Sequence, residues 1–178
     1  VQRGKYYYRK NKMGGLPLYL KYLVGVLALA LAAGLVLLLV PRERIRLLLP
    51  YGIIFGAGLG VLQIAVLQNM LGYWEFRQID FLTAGGIPLL IAFTWLPAEI
   101  LFAHFLMELR RPAARLMLWL FTGAAVSAGQ YLFILNRMLT FQHWTLLDSF
   151  FLALATHVAL AAVLHLMGYL RMQDLLKS

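Results

Sequence analysis

From Leu23 to Val40 the chain carries no charged or strongly polar side chain and is apolar on every side of any helix it could form. A run of this length approaches the roughly 20 residues of helix that cross the hydrocarbon of a bilayer. Hydrocarbon offers no partner to a backbone N–H or C=O, so such a segment must satisfy its own hydrogen bonds as a helix. A membrane β-barrel would alternate apolar and polar residues with period two, and this stretch does not. The rest of the sequence agrees: of 178 residues, 62% are apolar and 13% charged, against about 45–50% and about 25% in soluble domains. The expected fold is an all-α, polytopic transmembrane helix bundle in one domain.

Five spans are expected, at about 18–40, 47–71, 82–109, 116–136 and 145–170, with a basic aromatic N-terminal arm over 1–15. The arm places Arg3, Lys5, Arg9, Lys10 and Lys12 among Tyr6, Tyr7 and Tyr8, a composition suited to anionic headgroups. Pro41 and the charged stretch Arg42–Arg46 separate the first two spans. Between the second and third, Tyr73, Trp74, Phe76 and Phe81 mix with Glu75, Arg77 and Asp80, which reads as an interfacial turn or short helix. Gly85, Gly86, Pro88 and Pro97 predict a kink or an unwound start in span three. Gly52, Gly56 and Gly60 recur every four residues on one face of span two, the spacing that lets two helix backbones approach.

The first apolar run is as long as a full span and lacks a small-residue cleavage site, so it reads as a span and not as a secretory signal. Basic residues outside the spans divide seven to eight between the two sides, so the positive-inside bias leaves orientation to the first helix, which favours the N-terminus inside. The formal charge of +9 sits beside hydrophobic spans, where it serves topology and headgroup binding; no nucleic-acid partner is expected.

There is no cysteine, which excludes thiolate nucleophiles, Cys-ligated zinc and iron–sulfur clusters. No other metal or cofactor motif is present. The chemistry of the chain therefore rests on its intramembrane polar residues, each costing about 2.5–3.5 kcal/mol to insert if ionisable. Glu99, in span three, is the strongest candidate: a proton carrier, cation ligand or general acid, or else a protonated or paired structural residue. His157 falls near the middle of span five, while His104 and His165 lie toward the arginine-rich side; with Glu99 they are candidates to line one half of the bundle. Glu99 and His104 are about 140° apart around a helix, so they do not face one partner, and no tight metal site is expected. In the other half, Gln63 and Gln130 are candidates to bind a polar solute or to join helices. Gln68, Asn69 and Asn136 read as interfacial, and Trp119, Tyr131 and Trp144 as belt or packing residues.

The segments Leu49-Pro50-Tyr51-Gly52, Leu71-Gly72-Tyr73-Trp74, Gly86-Ile87-Pro88 and Trp95-Leu96-Pro97 resemble a group of uncharacterised small bacterial multi-pass membrane proteins over spans two to four. The resemblance implies a helical architecture and a bacterial cytoplasmic membrane, and no activity. Pro97-Ala98-Glu99 is similar to the Pro-x-Glu-Glu of small membrane lycopene cyclases, with Ile100 where the second Glu would stand. Three functional readings follow. The first is a small transporter, channel or solute-binding subunit using the deep polar groups. The second is an assembly subunit, or a homo-oligomer, joined through the glycine face. The third is an intramembrane enzyme acting on a lipid or isoprenoid with Glu99 as general acid.

Overall fold

The computed structural model describes residues 17–77 and 79–169; the basic arm over 1–15 and the end of the expected fifth span lie outside them. Five helices are long and apolar enough to cross a membrane: α1 (Leu18–Leu39), α2 (Arg42–Met70), α3 (Leu89–Glu108), α4 (Pro112–Leu135) and α5 (Leu146–Leu166). Their outward faces are as apolar as the interior; Leu38 is 82% and Leu166 83% exposed. Unpartnered surface of that kind on every helix is suited to lipid and not to water.

Proline punctuates the helices. Pro41 is the N-cap of α2, so Arg42–Arg46 are not a loop between spans but the first turns of a helix that starts five residues before the expected Leu47. Glu43 in the first turn complements the helix N-terminus. Pro50 lacks an N–H and its ring crowds the carbonyl four residues back. Two residues later α2 widens into π-helical turns over Gly52–Gly58, and again over Ala65–Met70. Pro112 opens α4 at its first position. α5 begins with a capping box, in which the Thr145 hydroxyl accepts from the Asp148 backbone N–H and the Asp148 carboxylate accepts from the Thr145 N–H.

The third span starts later than expected, at Leu89 and not Leu82. The residues before it form a tight hairpin, β2 (Thr83–Ala84) against β3 (Ile87–Pro88), turned at Gly85 and Gly86. Both turn positions have positive φ, 56° and 79°, which is why two glycines stand there. Ahead of the hairpin, Trp74–Phe76 is neither a turn nor a short helix. It is a strand, β1, paired antiparallel with β4 (Leu139–Phe141) from the α4–α5 connection. β-Branching and aromatic residues suit this pairing, and Trp74 stacks on Phe141 across it at 6.3 Å.

Three apolar clusters hold the bundle. At the arginine-rich end, Tyr51, Ile100, Phe102 and Leu106 pack with Val36 of α1 and Leu160 and Leu164 of α5. At the opposite end, Leu67, Trp74 and Leu139 form a second cluster under the β1–β4 ribbon, and Ile79, Ile91 and Met138 a third. α4 and α5 pack chiefly on each other. Joined to the rest of the bundle at both ends, this hairpin leaves space at mid-depth.

Candidate functional site

The glycine face of α2 is consumed inside the chain. A Cβ on Gly56 would fall 2.6 Å from both the Leu96 Cα and the Trp95 carbonyl oxygen; on Gly52 it would meet Ile100 at 2.8 Å, and on Gly60 the Ala92 carbonyl at 2.8 Å. The three glycines thus seat α2 directly on the backbone of α3, as their spacing predicts. They do not present a free surface to another membrane helix.

This close packing fixes the position of Glu99, one turn beyond Leu96 and 1% exposed. Its Oε1 lies 3.3 Å from Nε2 of His157 on α5. The other ring nitrogen of His157, Nδ1, is 2.7 Å from the carbonyl oxygen of Ala153, one turn earlier on the same helix. A carbonyl can only accept, so Nδ1 carries the hydrogen and donates it. Nε2 then makes a hydrogen bond to Glu99 only if one proton lies between them, on the carboxyl or on the imidazole. The edge of Phe102, its ring centre 4.5 Å from that of His157, holds the imidazole in this orientation. The second carboxyl oxygen of Glu99 and the hydroxyl of Tyr51 have no hydrogen-bond partner, and Tyr51 lies within electrostatic reach of Glu99.

On its other side His157 lines a cavity of about 190 Å³ that receives residues from all five helices and from β1. Gln63 and Gln130, expected in a separate half of the bundle, line the same cavity. Gln63 donates to the Thr156 hydroxyl at 2.9 Å. Ser149 donates to the Gln130 carbonyl oxygen and accepts from the Trp144 indole at 2.7 Å. The indoles of Trp74 and Trp95 and the rings of Phe76 and Phe133 supply apolar wall. The two polar groups of the sequence therefore converge. α2 and α5 carry Gln63 and His157 to one space, which residue depth along separate helices does not disclose.

His104 and His165 are not part of it. His104 Nδ1 lies 3.3 Å from Arg44, which is paired at 2.6 Å with Glu108; this places His104 in a charged group at the arginine-rich end. His165 is exposed on the outside of α5. The expectation that Glu99, His104, His157 and His165 line one half fails because helical rotation turns His104 and His165 away, leaving Glu99 with His157 alone. Among the described residues, no group of three His, Cys, Asp or Glu side chains is placed to hold a metal ion. Gln68 and Asn69 hold the glycine hairpin, donating at 2.9 Å to the carbonyls of Gly86 and Gly85.

Sequence reasoning passed over Thr156, Ser149 and Tyr51, whose polar atoms complete or adjoin the site, and Asp80. Asp80 is 4% exposed and accepts from the backbone N–H of Leu82 at 3.0 Å, Leu90 at 2.6 Å and Ile91 at 3.3 Å, capping α3 across the hairpin. Hydroxyl residues inside apolar helices carry little signal of their own, and a cap ten residues from the helix it serves has no local pattern.

Five apolar helices around a cavity whose mainly apolar wall carries Gln63, Gln130 and His157 define an integral, multi-pass membrane protein. Comparison of the chain with protein-family models, with curated proteins and with solved structures gives no match.

Proposed function

We propose that this protein is a small transporter-class membrane protein that binds a compact polar solute in the cavity between its five helices and exchanges one proton at the Glu99–His157 pair. The observation that supports this most directly is the shared border. His157 lines the cavity with Gln63 and Gln130 and, through Nε2, holds Glu99 immediately behind it. Amides present donors and acceptors together, so Gln63 and Gln130 can orient a neutral solute against the aromatic wall. For scale, a cavity of about 150 Å³ accepts benzene, so this one, at about 190 Å³, suits a solute of up to about eight heavy atoms. Both ring nitrogens of His157 are engaged, so a polar solute seated against the imidazole acts on it through its dipole, changing the energy of the protonated and unprotonated pair differently, which is the thermodynamic requirement for coupling the two. The resemblance of spans two to four to small bacterial multi-pass proteins supports a bacterial cytoplasmic membrane as its location. An enzymatic role for Glu99 gains less support, because its carboxyl is buried and does not line the cavity.

The test is reconstitution of the purified protein in liposomes containing a pH-sensitive dye, challenged with a panel of small neutral amides, polyols and heteroaromatic solutes. Solute-dependent proton movement, lost in Glu99→Gln and weakened in Gln130→Leu, is the expected result. Solute binding with no proton movement would remove the coupling but keep the binding role. No binding and no flux across the panel would sink the proposal.

A further inference from the structure

A second concavity lies on the outside of the bundle and is independent of the cavity. α1 and α2 part at Pro41, and α1 packs on α3 rather than on α2. The space between them, floored by α3, is a groove of about 540 Å³ with an entirely apolar lining, including Val36, Ile45, Leu49, Ala57, Leu96 and Pro97. From Ile45 to Ala57 it extends about 18 Å at the helical rise, close to one leaflet of a hydrocarbon core about 30 Å thick.

Beyond the Ile45 end of the groove, the first turn of α2 is charged. By helical rotation around α2, Arg42 lies about 20° and Arg46 about 60° from the groove-lining Leu49, so both sit on the groove-lining half of the helix at its membrane-surface end. Both are exposed, and among the described residues neither forms an ion pair, whereas Arg44 between them is held by Glu108 at 2.6 Å. We propose that the groove is a binding site for one anionic phospholipid, its acyl chain lying between α1 and α2 and its phosphate engaged by Arg42 and Arg46. The two requirements of such a ligand, an apolar slot one leaflet deep and cationic donors at its mouth, occur on the same face. A second copy of the chain fits less well. Around a two-fold axis along the membrane normal it would bring its own arginines to the same depth against these.

Native mass spectrometry of the purified full chain in an equal mixture of phosphatidylglycerol and phosphatidylcholine with matched acyl chains tests the proposal. The expected result is retention of one phosphatidylglycerol in preference to phosphatidylcholine. The double variant Arg42→Gln/Arg46→Gln should lose that preference by on the order of ten- to thirtyfold. Ala57→Phe, which fills the groove, should reduce retention of both lipids, and Ala33→Phe approaches the same space from α1 should Ala57→Phe fail to fold. Equal retention of the two lipids by the native chain overturns the proposal. So does an unchanged preference in the arginine variant, or undiminished retention in a folded groove-filling variant. A dimer that the groove-filling variants dissolve, with no retained lipid, assigns the groove to a second copy instead.

Discussion

Glu99 and His157 stand 3.3 Å apart, and because Nδ1 of His157 is committed to the Ala153 carbonyl, only Nε2 faces the carboxyl. The pair is complete with one proton between its members. Removing one partner therefore has a different effect from changing its protonation. Glu99→Gln supplies an amide N–H that can donate to Nε2, so the variant should fold and melt close to the native protein while losing any proton exchange. His157→Ala leaves the carboxyl buried without its partner and should destabilise by about 2–3 kcal/mol. Thermal unfolding of the detergent-solubilised variants checks both; equal loss in the two would show that an amide N–H does not replace the shared proton.

Contact between α2 and α3 is set by backbone, not by flexible side chains, at Gly56. A methyl there meets the Leu96 Cα and Trp95 oxygen at 2.6 Å, so Gly56→Ala must push the helices apart and should cost about 1–3 kcal/mol. Gly34→Ala in α1, where an added Cβ meets nothing within 4 Å, should be neutral or slightly stabilising. If thermal melting ranks the two equally, the seating of α2 on α3 is incorrect.

Capping of α3 by Asp80 predicts a large effect from a residue outside every span. Asp80→Ala leaves the N–H groups of Leu90 and Ile91 without their acceptor and should lower stability by about 2 kcal/mol. Asp80→Asn, which keeps one acceptor oxygen, should lose less. Hydrogen exchange at Leu90 and Ile91 reports the change at its source: faster exchange there is expected, and unchanged protection would mean that the cap is not formed.

At the end of β1, Arg77 donates to Glu75 at 2.6 Å and holds that carboxyl below the usual carboxylate range. A depressed folded-state value contributes stability above the ordinary carboxylate pKa, and the contribution is lost as pH falls through the folded value. Both side chains are about half exposed, so solvent and salt screen the pair and the effect is small. Glu75→Gln should shift melting slightly at neutral pH in low salt, and the difference should vanish in acid or in about 1 M salt, where the screening length falls to about 3 Å. A large shift that persists in high salt would contradict this.

Much of the fold is legible in the sequence. Apolar length alone located the five helices, and Gly52, Gly56 and Gly60, spaced for close helix approach, lie against α3 within the chain. Prolines and glycines foretold an irregular start to span three, but the Gly85–Gly86 hairpin and the Asp80 cap form it from tertiary hydrogen bonds. Pairing of β1 with β4 went unseen, because each strand is three residues long and joins segments more than sixty residues apart.

What the sequence by itself determined is the solvent of this protein and the period of its elements. Lipid imposes a length and an apolar composition on every spanning helix, and both are written locally along the chain. What only the tertiary structure decided is which polar residues meet. Helical rotation and interhelical packing sent His104 to Arg44, left His165 outside, and brought Gln63, Gln130 and His157 to one cavity with Glu99 behind it. Neighbourhood of that kind depends on the relative rotation of separate helices about their own axes. Apolar periodicity fixes rotation only when one face is polar, and in a helix apolar all round it leaves the choice to packing.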